Sequence, residues 1–218
     1  MSNAWALCAL AALSVPARVY GQAIEFESNG LKFQTLTRGG VTVMFTHLPG
    51  AVREYSVLQV VISNGSSLSW TVKPEDFLYR RKEGPAAEAT APGRVVEGLL
   101  DRAGRNDAIR LVTNYEAGIY GMNRLKASTG YEQRRQQALT ELTSPRLKAA
   151  AAASAVIFVR TKLAPGKSTD GAIFYSNDGK PLGPGTLTVR VAGETFEFDS
   201  PGNVGEHHSG AATPGSHQ

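Results

Sequence analysis

Apolar and polar residues alternate in several short stretches of this chain, and this alternation predicts β-strands. In the most regular stretch, residues 55–63, the side chains of Leu58, Val60 and Ile62 would all face one way. Trp70, in the next stretch, would be a large apolar anchor of the core. Gly-, Asn- and Pro-containing pairs separate the stretches, which is typical of antiparallel sheets with tight turns. The other predicted strands lie at residues 24–37 (with a turn at 28–30), 41–46, 68–72, 187–191 and 196–198.

Residues 153–178 are predicted to form a strand, a tight turn and a second strand. Residues 156–159 are apolar at every position, as expected of a central strand with both faces covered. Pro165 and Gly166 suit the two central positions of a type II turn, because Pro presets φ and Gly adopts the positive φ that the second position needs. The return strand would be centred on residues 173–175.

A helical period replaces the alternation between residues 94 and 153. Val96, Leu99 and Leu100 begin an apolar stripe at helical spacing, and a second stripe follows after a glycine. Because this block lies between two β-rich stretches, we expect a helical insertion in a β-fold and not alternating βαβ units. Residues 80–93 are charged and then rich in Pro, Ala and Gly, so they are predicted to be an exposed loop.

The first 23 residues are predicted to be a signal peptide. Residues 5–15 form an apolar run of the length of a signal-peptide h-region, and small residues precede two plausible cleavage sites. The run is too short to span a bilayer, so no transmembrane helix is expected in the mature chain. The single cysteine, Cys8, lies inside this segment, and the mature chain would therefore contain no disulfide. We expect a periplasmic or secreted protein.

The composition is that of a globular domain with a sizeable core, because 42% of the 218 residues are hydrophobic. The net charge of +4 comes from 23 Lys and Arg against 19 Asp and Glu. Nucleic-acid-binding proteins concentrate basic residues on one face or stripe, whereas here they are scattered among acids. We therefore expect no nucleic-acid partner. The last residues, 200–218, are rich in Gly, Pro, Ser and His and are predicted to be disordered.

Four motifs follow one another in the predicted β-regions: LQVVISNG at residues 58–65, VKPEDF at 72–77, LAPG at 163–166 and GAIFY at 171–175. In this order they resemble exported bacterial Ig-like β-sandwich proteins of uncharacterised function. The resemblance covers residues 24–82 and 155–198. It implies a mainly β fold, an Ig-like antiparallel β-sandwich over residues 24–199 with the α-helical insertion at about 94–153 between strands. The motifs are structural and imply no catalytic residue.

Two groups of residues are candidate metal ligands. Met44 and His47 carry the side chains that periplasmic copper carriers use, but residues three apart in a strand point to opposite faces, so a shared ion would need a bulge. His207 and His208 lie next to each other in the tail, and adjacent histidines in a flexible segment bind metals weakly and adventitiously. A surface or core role is the competing interpretation for each.

Three tyrosines of the helical insertion are candidates for a ligand site. Tyrosine is favoured where one end of a side chain is buried and the other is wet, and such residues line grooves between packed elements. Core packing is the competing interpretation. If the insertion forms a groove with the sheet, we expect its lining to include Tyr115, Tyr120 and Tyr131.

Candidate catalytic groups are few. A Ser-His-acid triad would need His47, and no Gly-x-Ser-x-Gly turn is present. Asp101, Asp107 and Glu132 could form a carboxylate pair, but neighbouring arginines favour salt-bridged surfaces. We predict a non-enzymatic exported binding or envelope-assembly module without a cofactor, whose helical insertion recognises an envelope protein or polysaccharide. The alternatives are a periplasmic copper carrier and a hydrolase that uses the carboxylates.

Overall fold

The computed structural model describes residues 22–121 and 144–201, except for the side chains of residues 120 and 121. Within these ranges the chain is mainly β, with antiparallel sheets and three α-helices, as the sequence predicts. None of these three helices is long and apolar enough to cross a membrane. The strands are β1 (Ile24–Ser28), β2 (Leu31–Arg38), β3 (Val41–His47), β4 (Tyr55–Asn64), β5 (Trp70–Val72), β6 (Phe77–Arg81), β7 (Ala87–Glu88), β8 (Thr161–Leu163), β9 (Ser168–Ser176), β10 (Gly185–Val191) and β11 (Glu194–Ser200); the helices are α1 (Pro92–Arg102), α2 (Arg105–Gly121) and α3 (Pro145–Val156).

The strands form two larger sheets and one small one. The first sheet has the order β1-β2-β3-β4-β9, the second has the order β11-β10-β6-β7, and β5 pairs only with β8. All neighbouring strands are antiparallel. The β1–β2 hairpin confirms the predicted turn, because Asn29 and Gly30 adopt the two positive φ angles of a tight hairpin turn.

The central strands of the first sheet are buried on both faces, which gives three layers. Leu58, Val60 and Ile62 of β4 pack toward the second sheet, in one hydrophobic core. Val57 and Val61 of the same strand pack toward the three helices, in a second core. Alternate side chains of β4 therefore face two different apolar cores. In a strand with one solvated face, every second side chain would instead face water.

Side chains of β2 reach the outer edge of β11. Gln34 Nε2 donates a hydrogen bond to the carbonyl oxygen of Asp199 at 2.8 Å. Arg38 Nη1 donates to the carbonyl oxygen of Thr195 at 2.6 Å. These bonds tie the two larger sheets together along one side and satisfy acceptors that an edge strand otherwise leaves to solvent.

The prediction for residues 153–178 is wrong in its first half. The run of alanines, which has the highest helix propensity, continues α3 as far as Val156, where a strand was expected. The strand β8 begins only at Thr161 and pairs with β5, whereas β9 pairs with β4. The turn at Pro165 and Gly166 therefore passes the chain from one sheet to another and does not close a hairpin.

The structure also tests the predictions for Trp70 and for residues 80–93. Trp70 is half-buried at the margin of the core and is not its central anchor. Residues 80–93 are not all loop, because Arg80 and Arg81 end β6, and Ala87–Glu88 pairs with that strand. After Lys73 the chain forms a 3-10 turn at Pro74–Asp76. The signal peptide lies almost wholly outside the described residues, as does the tail, and both stay predictions.

Candidate functional site

Tyr115 is a packing residue of α2. Its side chain is 1% exposed, and its hydroxyl group donates a hydrogen bond to Asp170 Oδ2 at 2.5 Å. Gln59 of β4 donates to the carbonyl oxygen of Tyr115 at 3.3 Å. These bonds hold α2 against the first sheet. The side chain of Tyr120 and the whole of Tyr131 lie outside the described residues, so a ligand site that includes them stays a prediction.

We expect Tyr115→Phe to lower the free energy of unfolding by about 1–3 kcal/mol, because it leaves a part-buried carboxylate without the hydroxyl donor. Urea denaturation measures the loss. Tyr175→Phe is the matched control: Tyr175 is also buried, but its hydroxyl group has no hydrogen-bond partner within the described residues. Equal losses in the two variants would contradict the role assigned to the Asp170 contact.

Met44 and His47 lie on opposite faces of β3. Met44 belongs to the core beneath the helices, whereas the ring of His47 lies between the two larger sheets, edge-on to Phe45 and Tyr79. The pairing of β3 with β4 is continuous from Val41 to His47, so no bulge turns one side chain toward the other. The structure therefore does not bring this pair together as ligands of one ion.

Other candidate ligands do not complete a metal site in the described part of the chain. No group of three or more His, Cys, Asp or Glu side chains in residues 22–119 and 144–201 could hold a metal ion. His207 and His208 lie beyond the last described residue.

His47 is expected to make the stability of the fold depend on pH. Burial lowers the pKa of His47 from 6.5 to about 4, and its ring Nε2 lies 2.6 Å from Ser200 Oγ. The unfolded chain therefore binds a proton near pH 6.5 that the folded chain does not bind until about pH 4. We expect the free energy of unfolding to fall as the pH drops through this window, by up to about 3 kcal/mol. Urea denaturation at intervals across the window measures this dependence.

His47→Gln is the variant that checks the assignment, because an amide keeps a polar group beside Ser200 without titrating. Its free energy of unfolding should lose most of the slope between pH 6.5 and 4 that the unmodified protein shows. A slope that is the same in both proteins would mean that other groups, and not His47, cause the pH dependence.

The carboxylates of the insertion have structural partners. Asp107 Oδ2 accepts a hydrogen bond from the backbone N–H of Gly104 at 2.7 Å and lies 3.2 Å from Arg53 Nε. It thereby caps the start of α2 and ties it to the β3–β4 loop. Asp101 is exposed on α1, and Glu132 lies outside the described residues. The structure does not bring Asp101 and Asp107 to a common cleft.

Concave surface is found elsewhere, around the 3-10 turn at Pro74–Asp76. Three cavities of about 280, 340 and 300 Å³ adjoin there. They share lining residues and therefore adjoin one another, and we call them together the corner groove. Its polar and charged lining residues are Thr71, Lys73, Glu75, Asp76, Glu88, Arg160, Thr188, Arg190, Glu194 and Thr195.

Local structure fixes the base of the corner groove. Pro74 begins the 3-10 turn, and Asp76 closes it by accepting a hydrogen bond from the backbone N–H of Lys73 at 2.9 Å. Burial raises the pKa of Asp76, while the Lys73 N–H and the charges of Lys73 and Arg160 act in the opposite direction. The β10–β11 turn, where Ala192 and Gly193 have positive φ, forms the facing wall.

Charged side chains of both signs line the corner groove. Lys73, Arg160 and Arg190 line the 340 Å³ cavity together with Asp76 and Glu194, and none of the three cations forms an ion pair within the described residues. Arg190 also lines the 280 Å³ cavity, with Glu75, Asp76 and Glu88. A groove with this arrangement can bind a ligand that carries both charges.

Sequence reasoning missed most of this groove. The VKPEDF motif is visible in the sequence, but by itself it indicates a structural role. Arg160 follows α3 and Arg190 lies on β10, far from the turn in sequence, and only the fold brings them to Lys73. Without a second signal, each is one exposed arginine among many.

Comparisons with protein-family models, with curated proteins and with solved structures find no match to this chain.

Proposed function

We propose that this protein is a non-enzymatic exported binding or assembly module of the cell envelope, periplasmic or secreted. Its scaffold is an Ig-like β-sandwich, and its working surface is the corner groove. One observation carries the proposal: three adjoining cavities meet at the groove, and three cations there have no ion-pair partner in the described residues. Exposed, unpaired charges around a concavity are available to a ligand at little desolvation cost.

The groove favours a protein partner over a polysaccharide. Saccharide sites commonly present an exposed aromatic ring on which a sugar face stacks. Phe77 is the aromatic residue among the groove's lining residues, and its side chain is 1% exposed. Charged side chains of both signs instead suit the mixed charges of a protein surface.

The helical layer has a different role in this proposal from the one the sequence suggests. Among the described residues, α1, α2 and α3 contribute their apolar faces to a core shared with the first sheet. The layer therefore completes the fold, and the recognition surface in this proposal is the corner groove and not the helical layer. Removing the insertion would uncover apolar strand residues, so point substitutions are the better test.

Site-specific photo-crosslinking tests the proposal. A photoreactive amino acid replaces Thr71, an exposed residue that lines the groove. The matched control replaces Thr113, which is exposed on α2. Irradiation of the full-length protein with an envelope extract should give a discrete adduct from position 71 and none from position 113. No adduct from position 71, or equal adducts from both positions, would overturn the corner groove as the working surface.

A further inference from the structure

Strand β1 lies at an edge of the first sheet. It pairs with β2 on one side, and no strand of the described chain pairs with its other side. The pairing with β2 is continuous from Ile24 to Ser28, so no bulge interrupts β1, and the strand contains no proline. Bulges and prolines are two of the devices that keep other chains from adding to a sheet edge, and β1 has neither.

Backbone groups of two residues point away from the sheet at this edge. β1 and β2 are joined by a two-residue turn, so the flanking pair Ser28–Leu31 exchanges backbone hydrogen bonds, and so does every second pair before it. The N–H and C=O groups of Glu25 and Glu27 therefore face outward. No hydrogen bond within the described residues uses these groups, and they can bond to an added strand.

The two faces of β1 differ in character. Ile24 and Phe26 lie on the face toward the helices, because Phe26 pairs with Phe33, which belongs to the core beneath the helices. Ile24 is 66% exposed and Phe26 is 37% exposed, and the Phe26 ring stacks on that of Phe33 with 5.2 Å between centroids. We call Ile24 and Phe26 the apolar shelf. Glu25 and Glu27 project from the opposite face and are also exposed.

The two glutamates disfavour a second copy of this chain as the added strand. A two-fold axis that joins two antiparallel β1 strands edge to edge is perpendicular to the sheet, so the two glutamate faces lie on the same side. Every register that pairs most of β1 then puts a glutamate directly opposite a glutamate of the other copy. Like charges at directly opposite positions destabilise strand pairing.

The same glutamates favour a basic partner. Side chains of an added strand that lie opposite Glu25 and Glu27 have their Cβ atoms about 5 Å from those of the glutamates. Lys32, which faces Glu27 from β2, lies about two strand spacings, or about 10 Å, from the added strand. The Glu25 carboxylate accepts a hydrogen bond from Gln34 Nε2, but neither glutamate forms an ion pair within the described residues. Basic side chains on the added strand therefore contact two carboxylates directly.

We propose that β1 binds an extended segment of a partner protein that has basic side chains at two alternate positions and an apolar side chain between them. The segment adds to the open edge of the first sheet as a further strand. Its basic side chains lie opposite Glu25 and Glu27, and its apolar side chain covers the apolar shelf. This surface shares no lining residue with the corner groove, so the inference goes beyond the proposed function and does not depend on it.

Fluorescence anisotropy with short labelled peptides tests this inference on the full-length protein. The first peptide alternates lysine and valine. A second has the same composition and charge, but its lysines and valines are grouped in two blocks, and a third alternates glutamate and valine. The alternating lysine peptide should bind about tenfold more tightly than the other two. Equal affinity for the two lysine peptides would overturn strand addition, because charge attraction alone would then explain the binding.

A charge-reversed protein checks the role of the two glutamates. Glu25→Lys combined with Glu27→Lys should reverse the preference, so that the alternating glutamate peptide binds more tightly than the alternating lysine peptide. Both side chains are exposed, so folding should be preserved. Glu97→Lys combined with Asp101→Lys makes the same change in net charge at exposed positions of α1, and it should leave the affinity for the lysine peptide within about twofold. Equal loss in both proteins would contradict the assignment to β1.

Amide hydrogen exchange followed by NMR identifies what occupies the edge. In the free protein the outward N–H groups of Glu25 and Glu27 should exchange about tenfold or more faster than that of Phe26, which bonds to β2, and the alternating lysine peptide should slow them. Binding that leaves their exchange unchanged would place the peptide elsewhere and overturn the proposal. Protection already present in the free protein would also overturn it. Protection that rises with protein concentration would identify a second copy at the edge, and protection independent of concentration would identify another segment of the same chain.

Discussion

Gly171→Val is expected to destabilise the protein by about 3 kcal/mol or more, a large part of the stability of a typical domain. A Cβ atom at this position of β9 would lie 2.7 Å from Phe158 Cα and 2.9 Å from two atoms of the Phe158 side chain. The Phe158 backbone is held in place, because its N–H donates to the Ala172 carbonyl oxygen at 2.8 Å. The Phe158 ring is also fixed, edge-on against Phe77.

Valine at position 171 would therefore force the segment that leaves α3 away from the first sheet. Gly93→Val is the matched control, because a Cβ atom at Gly93 in α1 meets nothing within 4 Å and this glycine does not have a positive φ. Its effect should stay within about 0.5 kcal/mol. Urea denaturation compares the two variants, and similar midpoints would show that the Phe158 segment moves more easily than its contacts indicate.

Leu99→Ala is expected to cost about 3–5 kcal/mol, because it removes a fully buried side chain from the core between the helices and the first sheet. Leu99 is 0% exposed and is one of the residues that fix α1 in this core. The helices pack on a strand layer that cannot collapse into the space left behind, since β4 is held by strands on both sides.

Leu147→Ala makes the same chemical change at an exposed position of α3, where the side chain is 42% exposed. Its cost should stay below about 1 kcal/mol. Thermal unfolding of both variants measures the difference. If Leu99→Ala unfolded the helices and left the sheets folded, the helical layer would be a separate folding unit and not part of a shared core.

The hairpins could be predicted because their signals are local. The turn at Asn29 and Gly30 follows from residues that tolerate positive φ, and the alternation in β4 marks a strand without knowledge of its neighbours. The prediction of a strand directly after residue 153 was wrong for a physical reason. Apolar β-branched residues after an alanine run fit either a buried helix end or a buried strand, and the α3 packing decides between them.

The candidate site was less predictable than the fold. Tyrosine is a residue type that often lines partly solvated grooves. Only the register of α2 on the sheet shows that the hydroxyl group of Tyr115 lies beside Asp170. His47 is polar in sequence and yet lies between two sheets. The corner groove depends on the meeting of Lys73, Arg160 and Arg190 from three separate stretches, and no period or motif within one stretch encodes such a meeting.

The pairing of β4 with β9 also constrains how the chain acquires its fold. Ser63 and Ser168 face each other across this pair although they are 105 positions apart in sequence. As the polypeptide emerges from a ribosome or a translocation channel, β1–β4 become available first, and one long edge of β4 has no mate until the insertion and β9 have followed. Pairing over such distances is slow, and an open apolar edge invites association with other chains during the delay. The yield of folded protein should therefore depend on how fast the C-terminal half is synthesised or translocated.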